Sequence, residues 1–172
     1  MSLIQKSIDK VSVSIISRTN LKLGDTVNFS VSPNLFSEVV ENQFISALKH
    51  NSIIVVQKNI SQNFLQITPI DCKINYQTIS QNFFTENLIE RNIDFECEAK
   101  FLKNDVVIFV DKFTSKIKDT IMFSQIEEVE NNLFPITVGN KNDIVNNEDL
   151  FEYSIFVGTF AVITFLFFYI RN

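Results

Sequence analysis

One histidine, two cysteines and a row of alternating carboxylates are the residues of this chain equipped for catalysis or metal binding. His50 is the only imidazole. General-base or metal chemistry needs partner groups at fixed spacing, and none accompanies it. It reads as a structural or solvated residue at a helix C-terminus, where partial negative charge favours its protonated form. Cys72 and Cys97 form no C-x-x-C element, so neither a zinc site nor a thioredoxin-like motif is indicated. Asp94, Glu96 and Glu98 share one face of a strand. Acid–base catalysis needs carboxyls held in a cleft, whereas an open sheet face leaves them solvated. No G-x-x-x-x-G-K-S/T, G-x-S-x-G or H-E-x-x-H pattern occurs, and the glycines at 24, 139 and 158 are too far apart to cradle a phosphate. Asn28-Phe-Ser and Asn59-Ile-Ser fit the glycosylation pattern, as chance allows in so Asn-rich a chain. These residues point away from an enzyme: no catalytic residue, metal, cofactor or small-molecule substrate is indicated.

The elements that carry these residues follow from periodicity. Ile70, Cys72, Ile74 and Tyr76 alternate with polar residues, as do Ile93, Phe95, Cys97 and Ala99. The two segments therefore read as an antiparallel pair with one apolar face. Setting Cys72 opposite Cys97 also sets Ile74 opposite Phe95, Tyr76 opposite Ile93 and Lys73 opposite Glu96. In that register the cysteines are cross-strand neighbours, either two buried thiols or a disulfide, and the disulfide would imply an oxidising compartment. Leu65 and Ile67 are odd-numbered and the later apolar residues even, so a bulge or strand end is expected at Pro69. At the hairpin tip, Phe83 and Phe84 either fold back over the sheet or form an exposed spot for a partner. Val106-Val-Ile-Phe-Val110 is apolar on both faces and is expected to be central or helix-covered.

Upstream, Ile4, Ile8, Val11 and Ile15 recur at helical spacing over residues 2–17, although Val-Ser-Val-Ser-Ile also alternates like a strand. Val27, Phe29 and Val31 alternate as a short strand. Ser32 and Pro33 suit the N-cap and first position of an amphipathic helix carrying Phe36, Val40, Phe44 and Leu48. Asn51 suits its left-handed terminator, and Ile53–Val56 reads as a short buried strand.

The first 152 residues hold 20 acidic against 14 basic residues, a formal charge of −6. An acidic domain without a basic patch argues against nucleic acid, whose binding rests on neutralising phosphates. Residues 124–152 carry seven of those acids and one lysine, and read as an acidic stalk that starts with a short helix near 125–131. After it, Tyr153–Ile170 holds no charge. A helix of that length rises roughly 27 Å, which predicts a single tail-anchoring membrane helix with Tyr153, Tyr169 and Arg171 at its ends. The other reading is a hydrophobic helix docked on protein, with Gly158 and Ala161 as a small-residue packing face. The N-terminus shows neither a long apolar run nor a cleavage site. The expected localisation is therefore a single-pass membrane protein with its domain in the cytoplasm, or outside it if the true start lies upstream.

The sequence thus predicts an α+β domain over 1–123, a linker over 124–152 and a transmembrane helix over 153–170. The domain is a small antiparallel or mixed sheet of four to five strands packed by one or two helices. In that order, and in the placing of Ser32-Pro-Asn-Leu before Ala-Leu-Lys-His50 and Ser-Ile-Ile-Val-Val-Gln57, residues 2–123 resemble small bacterial envelope domains: the LptE-like lipopolysaccharide-assembly lipoproteins and the curli-secretion and TolB N-terminal domains. Those proteins carry an N-terminal signal and usually a lipidated cysteine, neither of which is read in these residues, so no functional residue is carried over. The expected role is a non-enzymatic, membrane-tethered interaction or assembly domain. It would be an accessory subunit or scaffold, contacting the bilayer through its tail and one or more proteins through its surface. A structural subunit whose tail packs within a larger membrane complex is the alternative.

Overall fold

The computed structural model describes residues 2–56, 61–80, 86–131, 137–144 and 147–170, with 147–152 and 170 at backbone level alone. Helix α1 (Leu3–Thr19) begins at Ser2, whose hydroxyl accepts the Gln5 amide at 3.2 Å while Gln5 Oε1 accepts the Ser2 amide at 2.9 Å. This reciprocal pair satisfies two donors that a first turn otherwise leaves open. Helical periodicity prevails over the strand-like alternation: Ile4, Ile8, Val11 and Ile15 are all buried, with Ser7 and Ser12 beside them.

Strand β1 (Thr26–Val31), helix α2 (Ser37–His50) and strand β2 (Ile54–Val56) form a parallel crossover unit. The start of α2 lies later than Ser32-Pro33 suggests. The Ser32 amide donates to the Ile67 carbonyl at 2.8 Å and so prolongs the β1 ladder, which keeps Ser32 from capping. Asn34 makes the turn instead, its Oδ1 accepting the Phe36 amide at 2.9 Å. At the other end the left-handed residue is Ser52, with φ 56°, rather than Asn51, whose side chain donates to the Ala47 carbonyl at 2.8 Å.

Three long antiparallel strands follow: β3 (Asn63–Ser80), β4 (Leu88–Lys103) and β5 (Val106–Met122). The sheet is six-stranded, ordered β2-β1-β3-β4-β5, with β6 (Asn140–Asp143) parallel to β3 at Asn75–Gln77. Helices α1 and α2 cover one face, with Phe29 of β1 stacked on Phe44 of α2 at 5.8 Å between centroids. Arg18, near the end of α1, lies over the Phe109 and Phe113 rings and bonds Asp111 at 2.8 Å, fastening the helix to β5.

The expected break at Pro69 is a bulge: partners run Pro69–Cys97 and then Asp71–Glu96, leaving Ile70 as the extra residue. Ile70 is consequently 44% exposed, against the inward position its parity suggested. The register differs by two residues from that expected. Cys72 faces Phe95, Ile74 faces Ile93, and Tyr76 faces Arg91. A slip of two keeps every side chain on its face, so the apolar set survives while the cross-strand pairs change.

Two apolar runs lie at the margins of the sheet rather than inside it. Strand β5 is an edge, and Val106, Val107, Ile108 and Val110 are all exposed. Strand β2 is the opposite edge, with Ile54 exposed. A short apolar run records hydrophobicity but not the number of neighbours, which the strand order decides.

Segments of 124–152, expected as a stalk, pack on the sheet. A 3₁₀ turn (Phe123–Gln125) leads into α3 (Ile126–Val129), Ile126 is buried, and β6 pairs with β3. Helix α4 (Asn147–Ile170) then closes the described chain. Here the single-pass localisation and the bilayer contact are corrected: among the described residues no helix is long and apolar enough to cross a membrane. Side chains of α4 are described from Tyr153 to Tyr169. Arg171, expected to anchor its end, lies outside the described residues.

Candidate interaction surfaces

The face of the sheet turned away from α1 and α2 is a lattice of charge. The alternating carboxylates of β4 stand beside a lysine row on β5. Lys118 bonds Glu90 at 2.9 Å, Lys112 bonds Glu96 at 3.3 Å and Lys116 bonds Asp94 at 3.4 Å. On β3, Lys73 pairs with Asp71. The Lys118 ammonium and the Asn92 amide hold the Glu90 carboxyl below its ordinary range. Asp71, Glu90, Asp94 and Glu96 each thus have a cation as neighbour, which suits a solvated face and not a proton-transfer pair.

The covered face holds a polar cluster that periodicity alone did not single out. Arg91 shares the parity of Ile89 and Ile93 and points inward, where Nε and Nη2 meet the two Asp119 oxygens at 3.0 and 2.6 Å. Nearby, Glu130 accepts from the Gly139 amide at 2.9 Å and pairs with Lys141 at 2.7 Å. Buried Tyr76 lies against both groups: burial and the Glu130 charge push its hydroxyl up to about 12. Gly139 packs directly on the Tyr76 ring, with no room for a Cβ. A charged residue at apolar parity, as at Arg91 and Asp119, was the available signal.

Cys72 and Cys97 are free thiols, Cys97 fully buried and Cys72 partly so. Burial, reinforced by Asp71, pushes Cys72 up to about 11. Burial, reinforced by Glu96, pushes Cys97 up to about 12. His50 is exposed at the end of α2, on an open cleft of about 840 Å³ lined with Val13, Ile16, Leu23 and Ile53. Among the described residues no group of three His, Cys, Asp or Glu could hold a metal ion. Phe83 and Phe84 lie outside the described residues, as does Asn59.

Two apolar surfaces remain open. One is the β4–β5 tip, where Asn104 and Asp105 take φ of 51° and 61° in a two-residue turn and Val106, Val107 and Ile108 follow it exposed. The other is α4. Every described side chain from Tyr153 to Tyr169 is exposed, twelve of them large and apolar. Thr164 donates its hydroxyl to the Phe160 carbonyl at 2.8 Å, so even that polar group is satisfied within the helix. A Cβ placed on Gly158 would meet nothing within 4 Å, and Ala161 lies one turn further on the same side.

No family model and no curated protein matches the chain. Solved structures are similar to part of it. The rare lipoprotein B from Shewanella oneidensis is 16% identical, with 57% of this chain and 69% of that one covered and a TM-score of 0.36. A minor lipoprotein from Acinetobacter baumannii is 8% identical, with coverage of 69% and 84% and a TM-score of 0.42. The uncharacterized lipoprotein B from Nitrosomonas europaea is 15% identical, with coverage of 59% and 63% and a TM-score of 0.37.

Proposed function

We propose that this chain is a non-catalytic interaction or assembly domain, an accessory subunit or scaffold that joins a larger complex by docking α4 onto a protein partner. The resemblance in element order implies a cell-envelope setting for that complex. The observation that carries the reading is the uninterrupted exposure of the apolar side chains along Tyr153–Tyr169. A contiguous apolar surface of that extent marks an interaction site. Covering half a dozen such side chains contributes on the order of 10 kcal/mol before the costs of ordering and association are subtracted. Gly158 and Ala161 leave one side of the helix shallow, so a partner helix can approach closely there.

The test is purification of the full-length chain from its native source, followed by the same purification with Gly158→Leu and Ala161→Leu. The expected result is a partner recovered in fixed stoichiometry by the parent and lost by both variants, with an unchanged urea midpoint. Undiminished recovery by both variants, or by a chain ending at Ile144, would refute docking through α4.

A further inference from the structure

Strand β5 ends the sheet, and among the described residues no strand pairs with its outer side. Its pairing with β4 is regular from Phe109 to Met122. Successive residues of a paired antiparallel strand direct their backbone groups alternately to one neighbour and to the other. Every second residue of Phe109–Met122 therefore offers its amide and carbonyl away from β4, as a template for an added strand.

The charges along this edge are unevenly committed. The acids of β5 are tied to arginines, Asp111 bonding Arg18 at 2.8 Å and Asp119 bonding Arg91 at 2.6 Å. The lysines stand on the opposite face of the strand. Lys112, Lys116 and Lys118 are between 64% and 80% exposed, whereas the β4 carboxylates they bond are between 23% and 40% exposed. The cations thus lie outboard and the acids inboard. An ammonium has three donors, and each of these bonds one carboxylate towards β4, so donors remain on the outer side. At the alternate positions Phe113, Ile117 and Ile121 are only partly buried, and each keeps an apolar flank along the same edge.

We propose that the β5 edge receives an extended acidic segment of a partner protein as a further strand. Main-chain hydrogen bonds would hold the segment, and its alternate side chains would fix which segment is accepted. Its acids would stand opposite Lys112, Lys116 and Lys118, and its intervening apolar residues beside Phe113, Ile117 and Ile121. Opposite charges directly across a ladder favour pairing, and like charges oppose it. A second copy is the wrong occupant, because antiparallel pairing about Ser115 brings Lys112 against Lys118. The lysines that turn away a copy are the ones that select an acidic strand. The edge is separate from α4, so the proposal does not rest on docking through that helix.

The test is amide hydrogen exchange of the full-length chain, labelled with nitrogen-15, in the presence of blocked peptides long enough to span Lys112–Lys118. One peptide alternates glutamate and valine, and a second alternates lysine and valine. A third has the composition of the first, arranged as a glutamate block and a valine block. The glutamate–valine repeat is expected to slow exchange at every second amide of Phe109–Met122, those turned away from β4, and at none on α4. It should do so at about one-tenth the concentration the lysine–valine repeat needs, through its opposite-charge pairs. Salt at about 0.5 M should erase that advantage. Replacing Lys112, Lys116 and Lys118 together by threonine should erase it too, with the amides bonded to β4 still protected. The salt series on the parent decides the role of charge even where the threonine variant is unstable. Absence of slowing with the glutamate–valine repeat at about 1 mM would overturn the proposal. So would equal slowing by the lysine repeat or the block peptide, slowing at consecutive amides or on α4, or an advantage that survives salt or the threonine substitutions.

Discussion

Arg91 and Asp119 face one another across β4 and β5 in a two-pronged ion pair, with the arginine side chain only 12% exposed. The Asp119 hydrogen bonds raise the guanidinium's proton affinity further. A buried charge that loses its partner is far more costly than the pair is stabilising. Asp119→Ala should therefore destabilise the chain by about 2–4 kcal/mol, while Arg91→Met combined with Asp119→Leu should cost less than about 1 kcal/mol. Urea denaturation of Asp119→Ala and of the double variant measures both values. A double variant as unstable as Asp119→Ala would show that the pair itself, and not its stranded half, supports the fold.

The Pro69 bulge makes a sharper test of register than the cysteines do. Ile70 and Ile74 have the same parity, yet one is the extra residue of the bulge and 44% exposed and the other is 5% exposed. Ile70→Ser should change stability by less than about 0.5 kcal/mol, and Ile74→Ala should cost about 2–4 kcal/mol. Equal costs would mean that β3 runs unbroken through Pro69.

That contrast also shows what the sequence makes legible. Alternation announced the faces of β3 and β4, and the parity change between Ile67 and Cys72 announced the bulge. Neither contains the pairing offset, because a slip of two residues leaves every face intact; the bulge absorbs one residue and thereby sets the offset. Strand order was likewise hidden. Val106–Val110 reads as interior from composition, but only the sheet's connectivity makes β5 an edge. The polar cluster was missed because Arg91 and Asp119 interrupt alternation in the way a strand end does.

The thiols give a pH dependence with a definite sign. Cys72 and Cys97 titrate near 11 and 12 in the folded chain, and ordinary thiols near 8.5. Above about pH 9 the unfolded chain releases protons that the native chain still holds, so stability falls as pH rises towards 11. Tyr76, raised to about 12, adds to the decline above about pH 10. The urea midpoint should drop between pH 8 and pH 10.5, and Cys97→Ala should flatten that slope. Ellman's reagent should react slowly with the native chain at pH 8 and titrate both thiols in urea without reductant. A count of zero in urea would establish a disulfide.

Gly139 clamps the returning segment to the sheet. A Cβ there would overlap the Tyr76 ring and lie 2.8 Å from Ile74 Cγ2. Both neighbours are buried β3 residues that cannot withdraw without opening the core. Gly139→Ala should destabilise the chain by about 1–3 kcal/mol and detach β6 first. Hydrogen exchange would report this as faster exchange in Asn140–Asp143 while Ile93–Phe101 stays protected. Unchanged exchange at β6 would mean that the ring moves aside.

The free edge of β5 is guarded by its own charges. Were two copies to pair these strands antiparallel about Ser115, Lys112 would meet Lys118 and Asp111 would meet Asp119. Like charges directly opposite oppose such a ladder, and lysines on an edge strand serve that end in many sheets. A second bulge, where Phe101 pairs Phe109 but Leu102 pairs Val107, leaves Ile108 unmatched and twists the apolar end of the edge away. Replacing Lys112, Lys116 and Lys118 together by threonine keeps strand propensity and removes the repulsion. Each lysine is well over half exposed, so the three lost pairs should each cost less than about 1 kcal/mol. The expected outcome is a folded chain whose self-association, by sedimentation velocity, exceeds the parent's at equal concentration and is abolished by Ser115→Pro on the same background. Proline removes an N–H and cannot continue a ladder, so only association through β5 responds to it.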